Sequence, residues 1–306
     1  MLKIIAPNAN LSPWVDALKK LDSSIPISIG SNIDTETEMV LCWKAPRGSF
    51  NHYPNLKCIC SMGAGVDHIF NDPDIPSNVA VVRLLDSNLN QSMFDYVNHC
   101  VDSYILRKTH FIAAQHRSLW QPVAPRNKKD VSIGILGLGA IGGFLAKQFS
   151  EQGYPVLGWS RSIKNLAYVD SYTGSSGLNE MVQKSQILIC ILPLTTATSG
   201  LLNLDLLQRL PKGSCLINVA RGEHLNESDL ITAMNTGNIS EAYLDVFVHE
   251  PLPEQHPFWK HPKIQLTPHV ASMTKPESVA PQIVKLYQNL ISGKPLQNVV
   301  SSELGY

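Results

Sequence analysis

The chain has 306 residues and carries 25 Lys plus Arg against 25 Asp plus Glu, so its formal net charge is zero. A neutral chain has no general field that would attract nucleic acid or an anionic membrane surface, and neither is expected as a partner. Hydrophobic residues make up 44% of the sequence, and no apolar run approaches the ~20 residues that span a bilayer. Length and composition therefore predict a cytoplasmic protein of two domains, each with its own core.

Four short apolar runs in the first part of the chain predict the parallel strands of a small α/β domain. They cover residues 2–6, 39–43, 56–60 and 79–83, and Pro, Asn and Gly bound them. Two of the six cysteines, Cys58 and Cys60, lie in the third run. A metal pair would need further Cys or His ligands at suitable spacing, so reduced thiols in a buried strand are favoured. Neither a metal nor a disulfide is expected.

The middle of the chain changes from one domain to the next. From Gln91 to Gln115 no Pro or Gly interrupts a helical apolar pattern, which predicts one long helix. A Pro-containing linker at 118–130 precedes a strand at 131–136, where a new domain begins. Five later runs alternate with helical segments and predict a doubly wound parallel sheet; they are 154–159, 187–192, 214–219, 241–247 and 263–267. A last helix, from Pro276 to about Ile291, is predicted to return to the first domain.

A glycine-rich segment follows the strand at 131–136 directly and precedes a helical pattern. It consists of Gly137, Leu138, Gly139, Ala140, Ile141 and Gly142. The first glycine permits a tight turn, the second lets the backbone approach a pyrophosphate, and the third allows close helix packing. The helix N-terminus then faces the anion. A glycine turn without a ligand is the alternative, but the strand and helix on either side favour a dinucleotide site.

The next strand of such a sheet ordinarily ends in an acidic residue that binds the ribose hydroxyls. Here the run at 154–159 leads into Ser160, Arg161 and Ser162, so a carboxylate is missing and a guanidinium is present. A guanidinium suits a 2′-phosphate, whereas the alternative is a solvated surface arginine. The two changes together favour NADP(H) over NAD(H).

Seven motifs in order along the chain resemble the D-isomer-specific 2-hydroxyacid dehydrogenase family, in particular its glyoxylate/hydroxypyruvate reductase A branch. They are SMGAGVDHI at 61–69, GLGAIG at 137–142, WSRS at 159–162, ILPLTTATSGLLN at 191–203, INVARGEHLNESDL at 217–230, LDVFVHEPLP at 244–253 and TPHVAS at 267–272. The resemblance as a whole extends over nearly the entire chain.

This resemblance implies roles for individual residues. Arg221 would hold the carboxylate and keto oxygen of the substrate, His269 would donate the proton, and Glu250 would be the partner of His269. A wider set would line the cofactor, and Asp245 within it would contact the nicotinamide amide; the set adds Leu192, Pro193, Val219, Ala220, Arg221, Asp245 and His269 to the glycine loop and to residues 160–162.

Side-chain chemistry supports the catalytic assignments independently. The planar guanidinium of arginine matches a carboxylate, and a carboxylate bonded to one imidazole nitrogen fixes the tautomer of the ring. Each residue also has an ordinary alternative: Arg221 as a surface residue, His269 as a loop histidine, Glu250 as the cap of a turn. All three follow predicted strands, where open α/β sheets place their ligands, and this common placement favours function.

The first domain would contribute Ala64 and Gly65, whose loop can bring backbone N–H groups close to the substrate carboxylate. Trp43 matches an aromatic residue that lines the substrate pocket in this branch, and a core tryptophan is the alternative. Two positions depart from the family pattern. Lys44 stands where an uncharged or weakly basic residue is expected, and Gln91 stands where many members carry an acid.

The combined prediction is an α/β enzyme with a Rossmann-type doubly wound sheet and a smaller flavodoxin-like α/β domain. Residues 1–95, completed by 276–306, would be the substrate domain, and residues 96–275 the dinucleotide-binding domain with its linking helix and dimerisation arm. The enzyme would reduce glyoxylate or hydroxypyruvate to glycolate or D-glycerate with NADPH.

The sequence leaves two alternative functions open and predicts one partner. The alternatives are a dinucleotide-sensing co-regulator and a dehydrogenase of another 2-hydroxy acid, such as a phosphorylated one. The compact chain keeps the catalytic trio, which counts against the first, and Lys44 is the one hint of the second. Trp120, in the segment at 116–123, and the resemblance together predict a homodimer.

Overall fold

The protein is described by a computed structural model that covers residues 1–7 and 9–300. It divides into two compact units, one made of residues 1–88 with the chain from Met273 onward, the other of Leu89–Ser272. Residues 301–306, which the sequence assigns to the substrate domain, lie outside the described part.

The described chain alternates strands with helices. The strands are β1 (Leu2–Ile5), β2 (Ile27–Ile29), β3 (Met39–Cys42), β4 (Cys58–Ser61), β5 (Ala80–Val82), β6 (Ile133–Leu136), β7 (Val156–Trp159), β8 (Asp170–Tyr172), β9 (Ile187–Cys190), β10 (Ser214–Asn218), β11 (Ile239–Leu244) and β12 (Ile264–Leu266). The α-helices are α1 (Ser12–Leu21), α2 (Asp67–Phe70), α3 (Ser87–Ile105), α4 (Lys108–His116), α5 (Ala140–Glu151), α6 (Gly174–Lys184), α7 (Leu204–Arg209), α8 (Glu227–Asn235) and α9 (Pro276–Ile291).

The first unit contains a parallel sheet in the order β2-β1-β3-β4-β5. Every residue of β1, β3 and β4 is buried, as expected for parallel strands with helices on both faces. Most of these residues are apolar, and the exception in β1, Lys3, is paired with Asp34. Helix α9 packs on α1, with Ile283 and Tyr287 in the same core cluster as Trp14 and Leu18. The strand order is that of a flavodoxin-like domain.

The second unit contains a parallel sheet in the order β12-β11-β10-β9-β6-β7-β8. The order reverses between β6 and β9, which pair in register with Ile133 opposite Ile187 and Leu136 opposite Cys190. In a doubly wound sheet this reversal opens a crevice beyond the carboxyl ends of the two strands, where ligands bind. The two sheets confirm the predicted α/β fold class, and the second has the predicted Rossmann-type order.

The predicted single helix over 91–115 was wrong. The structure ends α3 at Ile105 and begins α4 at Lys108, because Arg107 adopts a left-handed conformation with φ of 57°. At this break the linker bonds to the end of α3, because the Arg126 N–H donates to the carbonyl of Ile105 at 2.9 Å. Apolar spacing does not reveal such a tertiary hydrogen bond. By contrast, the helix at Pro276–Ile291 has the predicted bounds.

Strand positions were predicted better than strand lengths. Most observed strands are one to two residues shorter than their apolar runs, whereas β11 begins two residues earlier than predicted, at Ile239. The sequence did not predict β2 and β8, which have three residues each and lie at sheet edges. Such short edge strands carry little apolar pattern.

The six cysteines are free and buried. Burial raises the pKa of Cys58 and of Cys190 to about 12, so both thiols are neutral core groups. Within residues 1–7 and 9–300, no helix combines the length and apolar character needed to cross a membrane.

Candidate active site

The glycine loop connects β6 to α5 at the reversal point of the second sheet. Gly137 has φ of 107°, which side chains other than glycine rarely adopt, and its N–H donates to the carbonyl of Trp159 at 2.8 Å. A Cβ on Gly142 would lie 1.7 Å from the carbonyl oxygen of Gly137. The loop therefore closes tightly against the first turn of α5 and next to the end of β7.

The first turn of α5 has the properties of an anion site. Gly139 is the N-cap residue, and no side chain in the described part of the chain caps the helix. Ala140 and Ile141 open the helix, whose first N–H groups have no partner within it. A Cβ on Gly139 would meet no atom within 4 Å, so there is room for a ligand above this turn. These residues fit the pyrophosphate of a dinucleotide.

The loop after β7 carries the predicted determinants of cofactor choice. The Ser160 hydroxyl donates to the carbonyl of Ser162 at 2.8 Å, so this side chain shapes its own loop. The Arg161 carbonyl accepts from the Thr173 hydroxyl at 2.9 Å, which fixes the backbone, and the Arg161 side chain is exposed. The Gly137 to Trp159 hydrogen bond places this loop beside the glycine loop.

Two further loops leave the same edge of the sheet. After β9, Leu192 is buried and Pro193 is exposed. After β10, Val219 and Ala220 are both buried, and Val219 N–H donates to the carbonyl of Cys190 at 3.2 Å. The central strands β6, β9 and β10 thus bring these predicted cofactor residues to the same edge as the glycine loop.

Arg221 follows directly, in an extended conformation. One of its terminal nitrogens donates to the carbonyl of Ala220 at 2.7 Å, and its own carbonyl accepts from the Asn218 side-chain amide at 3.0 Å. The next residue, Gly222, lies against the backbone of Phe247 and Val248. The Arg221 loop therefore contacts the segment that leads to Glu250.

Glu250 and His269 form a close pair. Glu250 Oε2 lies 2.9 Å from His269 Nδ1, and Glu250 Oε1 accepts from the Phe247 N–H at 3.1 Å. A carboxylate only accepts hydrogen bonds, so Nδ1 carries the proton and Nε2 is the nitrogen that can serve a substrate. Both side chains are partly exposed, at 18% for Glu250 and 26% for His269.

The backbone around His269 is held by Asp245, which is 1% exposed. His269 N–H donates to the Asp245 carbonyl at 2.8 Å, and the N–H groups of Val270 and Ala271 donate to its two carboxylate oxygens at 2.8 and 2.9 Å. His269 itself has φ of 57°. Three consecutive backbone N–H groups thus donate to one aspartate, and these hydrogen bonds define the turn that carries the imidazole.

The remaining predicted residues lie in the first unit. Ala64 and Gly65 are half-buried in the loop between β4 and α2, and the Ser61 hydroxyl donates to the Gly65 carbonyl at 2.6 Å. Trp43 is half-buried, with its ring 4.7 Å from the His68 ring. Lys44 is exposed. Trp43 packs against the core cluster of this unit and is also partly exposed, so its placement fits both a core and a pocket residue.

Several polar residues that organise these loops were not predicted as site residues. They are Ser61, His68, Tyr96, His224 and Thr267. Four of them lie inside the motifs that carry the resemblance, where a polar side chain two or three residues from a site residue was the available signal. Tyr96 had no such signal, because its hydroxyl meets a residue 171 positions away.

Comparisons with known proteins identify the family of the chain. The family model described as D-isomer specific 2-hydroxyacid dehydrogenase, NAD binding domain, matches residues 104–271. A curated protein of Yersinia enterocolitica named glyoxylate/hydroxypyruvate reductase A is 36% identical over 299 residues, which is 96% of each chain.

Two solved structures cover the full length of the chain. A D-isomer specific 2-hydroxyacid dehydrogenase of Xanthobacter autotrophicus Py2, crystallised with NADPH and MES, has 37% identity and a TM-score of 0.93 over 100% of this chain and 99% of that one. An NADPH-dependent glyoxylate/hydroxypyruvate reductase of Sinorhizobium meliloti, crystallised with NADP and sulfate, has 27% identity and a TM-score of 0.92 over the same shares. The chain belongs to the D-isomer specific 2-hydroxyacid dehydrogenase family, as its motifs predict.

Proposed function

We propose that this chain is an NADPH-dependent reductase that converts glyoxylate to glycolate and hydroxypyruvate to D-glycerate. The observation that carries the proposal is the pair formed by Glu250 and His269, 2.9 Å apart at the edge of the sheet where the cofactor loops converge. A proton donor there suits the reduction of a carbonyl. The named activities of the relatives support the choice of small 2-keto acids.

The chemistry divides between cofactor and protein. Bound NADPH supplies a hydride to C2 of the keto acid. His269 Nε2 supplies the proton to the carbonyl oxygen, so the product is the neutral hydroxyl, and Glu250 holds the ring through Nδ1. Arg221 binds the substrate carboxylate through its planar guanidinium and orients the carbonyl.

The cofactor would be held by residues of the second unit. The N–H groups at the start of α5 bind the pyrophosphate, and Arg161 binds the 2′-phosphate beside the glycine loop. The backbone at Leu192, Pro193, Val219 and Ala220 lines the nicotinamide half, with Asp245 at its carboxamide. In the first unit, the loop of Ala64 and Gly65 binds the substrate carboxylate through its N–H groups, and Trp43 lines the substrate site.

The decisive test is His269→Ala, assayed with glyoxylate and hydroxypyruvate at saturating NADPH. General acid catalysis contributes roughly 10²- to 10⁴-fold, so kcat should fall by about that factor while the dissociation constant for NADPH stays unchanged. His99→Ala, which changes an exposed histidine of α3, is the matched control. A folded His269→Ala protein that turns over at the rate of the unmodified enzyme would refute the proposal.

Cofactor choice has its own test. Arg161→Ala should raise KM for NADPH about tenfold to a hundredfold and leave KM for NADH nearly unchanged, since a charge-assisted phosphate contact contributes roughly 1.5–3 kcal/mol. Lys164→Ala removes another exposed charge from the same loop and controls for general electrostatics. Equal catalytic efficiency of the unmodified enzyme with NADPH and NADH would contradict the assignment.

We further propose that two copies of the chain pair through α4 and the segment after it. This region exposes large apolar side chains, among them Phe111, Leu119 and Trp120, which is 98% exposed. Light scattering should give the mass of two chains, and Trp120→Ser should lower it more than the control Trp259→Ser. A single-chain mass for the unmodified protein at micromolar concentration would refute the pairing.

Finally, we propose that the enzyme works in the cytoplasm. Its six cysteines are buried and free, which suits a reducing compartment, and the cytoplasm supplies NADPH. Cell fractionation with an antibody against the chain tests this placement.

A further inference from the structure

Two hydroxyl groups outside the catalytic trio reach the turn that carries His269. The Thr267 hydroxyl donates to Asp245 Oδ1 at 2.6 Å, and the Tyr96 hydroxyl lies 2.6 Å from the Thr267 hydroxyl oxygen. Tyr96 belongs to α3, whereas Thr267 and Asp245 follow β12 and β11. A hydrogen-bonded chain therefore runs from a helix to the aspartate that holds the catalytic turn.

The donors and acceptors along this series of hydrogen bonds follow from side-chain chemistry. Both oxygens of the Asp245 carboxylate accept backbone N–H groups. Because a carboxylate has no proton to donate, the single proton of the Thr267 hydroxyl must point to Oδ1. The Thr267 oxygen is then left as an acceptor, and Tyr96 must be the donor. Burial raises the pKa of the Tyr96 phenol, so it keeps the proton that it donates.

We propose that Tyr96 and Thr267 are positioning residues for His269: their hydroxyls fix the carboxylate of Asp245, and that carboxylate fixes the catalytic turn. The inference rests on the proposed role of His269 as proton donor and extends it to two residues that do not touch the reacting atoms. Their contribution is to hold Nε2 at the place where the proton is transferred.

The geometry explains why one aspartate needs this support. Asp245 Oδ1 receives both the Val270 N–H and the Thr267 hydroxyl, so it is held from two directions. Without the hydroxyl the carboxylate keeps the two N–H groups of the turn itself, but the hydrogen-bonded link from the turn to α3 is lost. His269 has φ of 57°, a sparsely populated conformation that persists only where the surroundings determine it.

Tyr96 provides a rigid anchor for the chain. The next residue of α3, Val97, is fully buried, and Cys100 one turn further is 2% exposed. Both belong to the core cluster of the second unit, which also contains Ala271 from the catalytic turn. The phenol is therefore attached to the same packed core as the turn that it helps to orient.

The chain offers a close control for each residue. Thr109 donates to Glu241 Oε2 at 2.6 Å, which is the same kind of hydroxyl-to-carboxylate bond, made to a residue in the first half of β11. Tyr104, also on α3, donates to the Gly213 carbonyl at 2.9 Å, remote from His269. Thr109→Val and Tyr104→Phe thus remove comparable hydrogen bonds without reaching the catalytic turn.

The experiment compares Thr267→Val, Thr267→Ser, Tyr96→Phe, the double variant Tyr96→Phe/Thr267→Val and the two controls. For each, kcat and KM for glyoxylate, the pH profile of kcat, the dissociation constant of NADPH and the melting temperature are measured. A displacement of about 1 Å costs up to roughly a hundredfold in rate. Thr267→Val should therefore lower kcat about tenfold or more, and Tyr96→Phe about threefold, with KM nearly constant.

Three further outcomes are expected. Thr267→Ser keeps the hydroxyl and should stay within about twofold of the unmodified kcat. The double variant should be no slower than Thr267→Val alone, because Tyr96 acts through Thr267. The controls should lower the melting temperature as much as the test variants do, yet leave kcat unchanged.

Equal losses of kcat in the test variants and in their controls would overturn the inference, as would additive losses in the double variant. If Thr267→Val does not fold, the pair Tyr96→Phe and Tyr104→Phe decides by the same comparison. Failure of the proposed function looks different, since His269→Ala would then keep its rate. A slow His269→Ala together with unchanged rates in Tyr96→Phe and Thr267→Val defeats this inference alone.

Discussion

Each unit has a loop that follows a buried parallel strand and is held by a histidine. The two histidines differ in their hydrogen-bond partners: one has a donor on one side of its ring, whereas the other has acceptors on both sides. After β4, the loop at 61–65 is held by His68, whose Nδ1 accepts the Lys44 N–H at 3.3 Å. The other ring nitrogen, Nε2, lies 3.1 Å from the Ser61 hydroxyl oxygen. One nitrogen accepts and the other can donate, so a neutral imidazole satisfies both contacts.

The loop after β10 is held by His224, which is fully buried. Its Nδ1 lies 3.1 Å from the Arg221 carbonyl oxygen and its Nε2 3.3 Å from the Pro193 carbonyl oxygen. Both neighbours are acceptors, and a neutral imidazole has one N–H to offer them. This histidine joins two cofactor loops, but only its protonated form would satisfy both at once.

The same two loops also differ in what surrounds their glycines. A Cβ on Gly63 would lie 3.2 Å from the ring of Trp43, which is a side chain that can shift. A Cβ on Gly222 would lie 1.9 Å from the backbone carbon of Phe247. The first loop is therefore shaped by side chains, whereas the second is locked against backbone.

The largest expected effect tests this difference directly. Gly222→Ala should lower the free energy of unfolding by about 3 kcal/mol or more, because the backbone of Phe247 cannot move aside without displacing Glu250. Gly63→Ala should cost less than about 1 kcal/mol, since the Trp43 ring needs to move by a few tenths of an ångström. Urea unfolding of both variants measures the two costs, and equal costs would contradict the distinction.

These contacts also show what the sequence could and could not predict. The tight turn at 137–142 was predictable, because its geometry depends on a strand and a helix adjacent in sequence. The role of Arg161 stays a prediction. The helix at Pro276–Ile291 was predictable from its apolar period and its opening proline. Glu250 and His269 were assigned from motifs, and the structure shows that they lie together.

The support of these residues was not predictable, because it depends on contacts between distant parts of the chain. Tyr96 is hydrogen-bonded to Thr267, which is 171 residues away in the sequence, and His224 is hydrogen-bonded to Pro193, which is 31 residues away. The predicted helix over 91–115 failed for the same reason, since a carbonyl at its break is satisfied by Arg126 of the linker. Local pattern indicates where a site lies, whereas tertiary hydrogen bonds determine how it is held.

A smaller effect is expected at His224, in the dependence of stability on pH. Burial lowers the pKa of His224, and this outweighs the opposing effect of the two carbonyls and of Glu223, while Arg221 acts in the same direction as burial. The unfolded state then binds the proton more readily than the folded state. Stability from the neutral ring is present above the ordinary pKa of about 6.5 and is lost as the pH falls through the folded value.

The variant His224→Gln tests this dependence, because glutamine does not titrate. At pH 8 it should lower the free energy of unfolding by about 1–2 kcal/mol, since the flexible amide of glutamine reproduces neither the position of the ring N–H nor the packing of the ring in its buried site. The difference between the two proteins should shrink as the pH is lowered below about 6.5. Urea unfolding at several pH values measures it, and a constant difference over that range would contradict the predicted pKa direction.

The smallest effect is expected in the first unit, at the hydroxyl that connects His68 to the substrate loop. The Ser61 hydroxyl donates to the Gly65 carbonyl at 2.6 Å and accepts the Gly63 N–H at 3.2 Å, so Ser61→Ala releases both backbone groups. Because the proposed role of this loop is to bind the substrate carboxylate, KM for glyoxylate should rise about fivefold, equivalent to roughly 1 kcal/mol. The value of kcat and the dissociation constant of NADPH should change little.

Ser49→Ala is the matched control for this prediction. Ser49 is another buried serine of the first unit, and its hydroxyl donates to the Pro46 carbonyl at 2.6 Å. It should lower stability to a similar extent without raising KM, because Pro46 is not part of the substrate loop. Steady-state kinetics on both variants separate the two effects. Equal KM values for Ser61→Ala and Ser49→Ala would show that the hydroxyl at 61 stabilises the fold and does not shape the loop for the substrate.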